Sequence, residues 1–281
     1  MSTSRTSDRS LSRLTPWVVI AGLVLGVLGV ITALDNDPLA SLLTRYIVVG
    51  LVCLAVGYWL FTKGSGRLGV LVALTGAAWY IPELQDSNQG LLVGLAIMFE
   101  GVFRATFAHS VLAYPDGRIR PHFGAWLVGA GYVLTLVGGL ARALTYQPYY
   151  WESCECPRNS LAVWHTESVY NAVNDTYLLL GLVLGVALLV PLALKLSPEN
   201  RDGASAVPVW AAIAGTTMII ISAILREALD LSEGGLVFWL WVEGIGISIA
   251  VISFLILGSR QRFAEVRSPA GSIADPSPSP P

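Results

Sequence analysis

The sequence predicts an all-α protein: a polytopic membrane helix bundle of about eight transmembrane helices, with both termini cytoplasmic. Three observations carry that expectation. The 281-residue chain is 54% apolar and only 13% charged, with a mean hydropathy of +0.64, whereas soluble domains carry about 25% charged residues. Apolar stretches near the length of a bilayer crossing, about 20 residues, recur along its whole length. The charges between those stretches alternate in sign.

Eight stretches qualify, at about 17–34, 42–61, 68–82, 90–113, 123–145, 175–195, 207–226 and 236–258. The first follows Arg13 and resembles a secretion signal, but its apolar run is long and no A-x-A site precedes "DNDP", so it reads as an uncleaved span. The third is the shortest. Pro82 marks its end, because proline cannot continue a helical hydrogen-bond ladder.

The charges sort by loop. Arg5, Arg9 and Arg13 precede the first span; Lys63 and Arg67 follow the second; Arg118 and Arg120 follow the fourth; Lys195 and Arg201 follow the sixth; Arg260, Arg262 and Arg267 follow the eighth. The intervening loops are acidic, with Asp35 and Asp37, Glu83 and Asp86, Glu152 and Glu155, then Glu227, Asp230 and Glu233. Positive loops stay inside, which places both termini in the cytoplasm and requires an even number of spans. The chain thus divides into a polar cytoplasmic tail at 1–15, a bundle at 16–259 with a long external loop at 146–174, and a cytoplasmic tail at 260–281. That last stretch, rich in Pro and Ser, is expected to be disordered.

Only two lysines, Lys63 and Lys195, stand against fifteen arginines, which suggests a GC-rich bacterial genome. The expected location is the bacterial plasma membrane, as a multi-pass protein surrounded by lipid. No cofactor and no nucleic-acid partner is expected.

Ionisable groups at membrane depth are costly and mark functional sites by default. Glu100 and Arg104 fall near the middle of the fourth span, four residues apart; they share a helix face, which suits either an internal ion pair or part of a switch or ion path. Glu243 lies in the eighth span, and Arg142 and Arg226, near the ends of the fifth and seventh, are its expected partners. Such a cluster either locks spans together or lines a ligand-accessible cavity. His109 is rotated by about 140° from Arg104 and about 180° from Glu100 at 100° per residue. The three therefore form no triad on one helix face. His109 is either hydrogen-bonded near the interface or a pH or ligand sensor.

The external loop carries Tyr146, Tyr149, Tyr150, Trp151 and Trp164. They suit an interfacial aromatic belt or a ligand-facing cap over the bundle. Cys154 and Cys156 in that loop either form a strained disulfide, stay free, or join His165 in a weak metal site that lacks a full ligand set. Cys53 is mid-span and reads as a packing residue. "GLVLGV" occurs at Gly22–Val27 and again at Gly181–Val186, each supplying a G-x-x-x-G spacing that lets helix backbones approach.

No H-E-x-x-H, no phosphate loop and no G-x-S-x-G elbow occurs, so no metal centre and no enzymatic activity is expected. No paired Pro or Gly break is visible mid-span, which counts against a transporter built on interrupted helices.

Two motifs carry a family likeness. "FAHSVLAYPDGRI", at Phe107–Ile119, resembles the "HLLLAFPSGRL" pattern that ends a membrane helix in multi-span sensor histidine kinases of actinobacteria. Its turn comprises Pro115, Asp116, Gly117 and Arg118. "CPRNSLAVW", at Cys156–Trp164, is similar to the "CPxNPL" motif in their external loop, with Ser160 in place of proline. The likeness spans about residues 17–258. It implies a sensory membrane module of a two-component system. The phosphoacceptor helix and ATP-binding domain of that family have no counterpart in the sequence, so its kinase activity does not carry over. The expected function is a sensor-like signalling module that meets a small ligand and a signalling protein or a second copy. The alternative is a small-solute transporter or channel using Glu100, Arg104 and Glu243.

Overall fold

The computed structural model of the chain describes residues 14–35, 40–63, 65–119, 122–147, 158–196, 206–228 and 233–267. The elements are α1 (Leu14–Asp35), α2 (Ala40–Thr62), α3 (Gly66–Trp79), a 3-10 helix (Ile81–Asp86), α4 (Gly90–Phe99), α5 (Val102–Ala113), α6 (His122–Val133), a π-helical segment (Leu134–Gly138), α7 (Gly139–Thr145), α8 (Glu167–Leu194), α9 (Ala206–Ala228) and α10 (Glu233–Arg267). α4 and α5 together make one rod, Gly90–Ala113, and α6 through α7 make another, His122–Thr145. The described residues thus form eight rods and no strand.

Six helical stretches are long and apolar enough to cross a bilayer: Leu14–Thr32, Gly90–Ala113, His122–Thr145, Glu167–Leu194, Ala206–Leu225 and Val237–Leu255. The chain is a multi-pass membrane protein, consistent with residence in the plasma membrane. α2 supplies a shorter apolar stretch, Tyr46–Thr62. α3 has 14 residues, about 21 Å at 1.5 Å per residue, which is shorter than a hydrocarbon core. It ends at Trp79, and Pro82 sits in the first turn of the 3-10 helix that follows.

α3 is short because it is the inner pillar. Ten of its residues are buried, from Leu68 to Trp79, and it packs on α1, α2 and α5. A 14-residue helix enclosed by protein needs no lipid-length apolar surface. Its contact with α2 depends on missing side chains: a Cβ on Gly57 would lie 2.6 Å from the Ala73 nitrogen, and one on Gly69 would lie 2.6 Å from the Gly57 carbonyl oxygen. The backbones touch there, as small residues allow. The first G-x-x-x-G faces the same pillar, Gly22 against Ala77 and Gly26 against Tyr80. Trp79 closes the pillar edge-on to Phe103, with ring centroids 4.8 Å apart.

Two boundaries differ from the sequence expectation. α8 begins at Glu167 rather than near 175, because Tyr170, Asn174 and Tyr177 recur at helical spacing and turn their polar ends inward while the chain stays helical. α10 continues through Arg260 and Arg262 to Arg267, since its backbone bonds are internal and need no apolar surroundings. Residues 268–281 lie outside the described residues.

Candidate functional site

The charged groups expected at depth do meet, but with other partners than their spacing suggests. The fourth rod is interrupted: α4 stops at Phe99, Glu100 and Gly101 form a turn, and α5 starts at Val102. Arg104 then reaches across to α10, where its Nε and Nη2 donate to the same oxygen of Glu243 at 3.1 and 3.0 Å. Glu100 takes a different cation. Arg142 on α7 donates from Nη1 to Glu100 Oε2 at 2.7 Å, and from Nε to Asn174 Oδ1 on α8 at 3.0 Å. The expected partner of Glu243, Arg142, is thus held by Glu100, one rod away. The reason is radial: Glu100 and Arg104 project into the bundle, where neighbouring rods offer straighter charge-assisted bonds than an i,i+4 reach along one helix. Arg226 has its side chain outside the described residues.

The groups around these pairs were not singled out from the sequence. The Tyr177 ring lies under the Arg142 guanidinium, 4.9 Å from centroid to Cζ, within cation–π range. Its hydroxyl occupies the space a side chain at Gly101 would fill. Thr135 of the π segment points its hydroxyl at the Gly101 carbonyl, 3.5 Å away. Gly139, just after that segment, abuts the Met98 carbonyl. So two mid-rod interruptions, at Glu100–Gly101 and Leu134–Gly138, face each other beside the ion pairs. Both are local irregularities within rods that each run on for 24 residues. Their backbone irregularity is not written as proline, and Gly101 and Gly139 were hidden among the many glycines. The Tyr170, Asn174, Tyr177 spacing was the one readable signal.

The paired groups differ in exposure. On the fourth rod Leu91, Leu92, Leu95, Met98, Phe99 and Val102 are partly or fully exposed and fall within about 120° of each other at 100° per residue. Glu100 and Arg104 lie about 180° and 220° from Leu91 on that count. Yet the Arg104 side chain is 31% exposed and that of Glu100 26%. Glu243 is 2% exposed and Arg142 11%. Glu100 also lies ten residues from the start of the rod at Gly90, about 15 Å deep by helical rise.

His109 is separate. Its Nδ1 is 3.3 Å from the Tyr132 hydroxyl, with the rings edge-on at 6.0 Å. This is the hydrogen-bonded arrangement, far from the ion pairs on its helix. The Pro115–Arg118 turn is a docked structural corner. Gly117 has a φ of +71°, its N–H donates to Ala113 O at 2.8 Å, and Arg118 N–H donates to the same oxygen at 3.2 Å. Lys195 at the end of α8 donates from Nζ to Leu112 O at 2.6 Å and Tyr114 O at 2.8 Å. Tyr114 is 3% exposed and stacks on Phe254 at 5.1 Å. It is part of the protein interior.

In the stretch before α8, Asn159 of "CPRNSL" is buried. Its Nδ2 donates to Ala143 O at 2.7 Å and Tyr146 O at 2.9 Å, and its Oδ1 accepts from Leu161 N–H at 2.9 Å. Ser160 N–H donates to Gly90 O at 3.0 Å, which ties the loop to the start of α4. Trp164 is exposed and Tyr146 packs on Tyr170 at 5.0 Å. Cys154, Cys156, Tyr149, Tyr150 and Trp151 lie outside the described residues. Among the described residues no cluster of three or more His, Cys, Asp or Glu is placed to hold a metal.

The fold and site define a class: an all-α, multi-pass membrane bundle with charged residues paired in its interior. No family model matches the chain, and no curated protein or solved structure matches it either. Nothing in these comparisons ties it to sensor kinases or to actinobacteria.

Proposed function

We propose that the protein moves a small polar solute across the membrane, through a site built on Glu100, Arg104, Arg142 and Glu243. The carrying observation is that Arg104 and Glu100 keep about a third and a quarter of their side-chain surface open on the face of their rod turned away from the exposed apolar stripe. A charge opening onto lipid at that depth costs about 2.5–3.5 kcal/mol or more; opening onto an interior, water-filled cleft avoids that cost. Support also comes from the facing interruptions beside the site, since transporters place binding groups where helices break. The termini stand in the cytoplasm in this reading, as the loop charges indicate.

The test is flux in proteoliposomes. Glu100→Gln and Glu243→Gln keep the shape of each side chain and remove its charge. Both are expected to lower solute uptake at least about tenfold, equivalent to 1.4 kcal/mol. Unchanged uptake in both variants refutes the reading.

A second reading is a sensor-like signalling module. It is favoured by α10, which runs from the end of the apolar window at Leu255 to Arg267, about 18 Å further at 1.5 Å per residue. A rigid helix leaving the membrane could pass a shift at Glu243 to a partner. Crosslinking that recovers neither a kinase nor a regulator, nor a second copy, sinks that reading.

A further inference from the structure

The segment from Arg158 to Trp164 ties the start of α4 to the end of α7. Its hold is concentrated on Asn159. The Asn159 N–H donates to Gln147 Oε1 at 2.9 Å, Nδ2 donates to the carbonyls of Ala143 and Tyr146, and Oδ1 accepts from Leu161 N–H. On either side of this knot, Ser160 N–H is fixed on Gly90 O, while Val163 and Trp164 N–H share Leu144 O at 2.9 and 3.2 Å. Arg158, Ser160, Val163 and Trp164 are exposed; Asn159 and Leu161 turn in against α4.

α4 is shaped to seat this strap. A Cβ on Gly90 would run into the Arg158 carbonyl and the Ser160 hydroxyl. One on Gly94 would lie 2.5 Å from Asn159 Oδ1 and 2.6 Å from Leu161 Cγ. Beneath, Leu161 packs on a small apolar cluster of Val93, Ile97 and Ala143, separate from the main core. Gly90, Gly94, Ile97 and Gly101 fall within about 60° of one another at 100° per residue. That stripe leads from the strap at Gly94 to the interruption at Gly101, about 10 Å further along the rod by helical rise. Ala143, whose carbonyl Asn159 holds, adjoins Arg142. The strap therefore closes one end of the α4–α7 seam, and the Arg142–Glu100 pair lies at the other.

A segment fastened by hydrogen bonds at one residue, with its outer side in solvent, opens at lower cost than the packed helices it bridges. We propose, resting on the transport reading above, that residues 158–164 are a gate on the α4–α7 seam. Closed, as in this structure, the gate fills the seam with Asn159 and Leu161. Open, it admits water and a polar solute along the stripe toward the Arg142–Glu100 pair. Asn159 is the latch, and the bare face of Gly90 and Gly94 is its seat.

The experiment uses the full chain in lipid nanodiscs, with Cys53, Cys154 and Cys156 replaced by alanine. One reporter, Ile97→Cys, sits under the strap, where Ile97 is 3% exposed. The probe is a cationic, membrane-impermeant maleimide, and its rate of reaction is read. Gly94→Ala pushes the strap from its seat while favouring the helix of α4. It is expected to raise the rate at least about tenfold, a 1.4 kcal/mol shift of the opening equilibrium. Should that variant fail to fold, Asn159→Ala releases the latch from the strap side, and the same rise is expected. A second reporter, Val72→Cys in the main core, where Val72 is fully buried, should stay slow in both backgrounds. An unchanged rate at Ile97→Cys, or an equal rise at Val72→Cys, overturns the gate. The two readings fail separately. A rise confined to Ile97→Cys, with uptake unchanged by Glu100→Gln and Glu243→Gln, overturns transport and leaves the strap as a gate on the seam. Uptake that depends on both glutamates, with no rise at Ile97→Cys, overturns the gate and leaves transport standing.

Discussion

Removing either end of the Arg104–Glu243 pair should not cost the same. Glu243 is 2% exposed, so Arg104→Met takes one ion-pair partner from a buried carboxylate. Arg104 is 31% exposed, so Glu243→Leu leaves a cation that cleft water can hydrate. Breaking a buried pair from one side costs about 3–5 kcal/mol, and that range applies to Arg104→Met. For Glu243→Leu the loss should fall to about 1–2 kcal/mol, because pairing energies shrink where solvent screens the survivor. The double variant removes both charges of the pair at once and should lie within about 1 kcal/mol of the parent, since apolar replacement of a buried pair is often neutral. Reversible unfolding in mixed lipid–detergent micelles, followed by tryptophan fluorescence, measures all three. Equal losses in the two single variants would refute the argument from exposure. A double variant as unstable as the sum of the singles would refute the claim that the pair is the shared cause.

Other expectations rest on single residues. Gly117→Ala should destabilise by about 1–2 kcal/mol from its left-handed backbone alone; the new Cβ would also lie 2.8 Å from the Leu68 nitrogen, so unfolding midpoints should drop further than for Asp116→Ala in the same turn. Lys195→Met strips a cation from the carbonyls of Leu112 and Tyr114 and should cost about 1.5–3 kcal/mol, the range for hydrogen bonds to charged groups. Lys195→Arg should recover part of it in the same melts. Asn159→Ala leaves the buried carbonyls of Ala143 and Tyr146 without the donor that Nδ2 supplies. A cost of about 1–3 kcal/mol follows, read as loss of hydrogen-exchange protection at Leu161 and Ser160 before the helices are affected.

Much of the fold was legible because bilayer thickness turns composition into length. All eight rods fall where apolar stretches had placed them, and the weakest, α3, was weak for a physical reason: a helix enclosed by other helices is freed from the length rule. The site was legible only as a set of charges. Glu100, Arg104, Arg142 and Glu243 are visible in any hydropathy reading, but their pairing depends on which way each rod is rotated, and an interrupted rod shifts that rotation. Tyr177 and Thr135 carry no charge, so nothing marked them until the turn at Glu100–Gly101 and the π segment brought them together. Asn159 was read as part of a motif and not as a buried keystone, since one polar residue in a polar loop gives no periodic signal.

The pairing also says something about how the bundle is divided. Arg142 joins Glu100 to α7 and, through Asn174, to α8. Arg104 joins the same rod to α10, which packs on α2 and α9. The fourth rod is therefore held by two ion pairs to different neighbours, one from Glu100 in the turn to α7 and one from Arg104 in α5 to α10. A solute that competes for Arg104 weakens one pair and leaves the other. The half-rod α5 can then shift against α10 while α4 stays fixed on α7. The turn between them lacks the regular ladder that would resist such a movement. In the transport reading that displacement opens the cleft; in the signalling reading the same displacement is carried along α10 beyond the membrane. Clamping α5 to α10 by a disulfide on the Glu243 side, in a background where Cys53, Cys154 and Cys156 are replaced, should abolish either output while leaving binding at Glu100 intact. Retained output with the clamp formed would mean that the interrupted rod does not move.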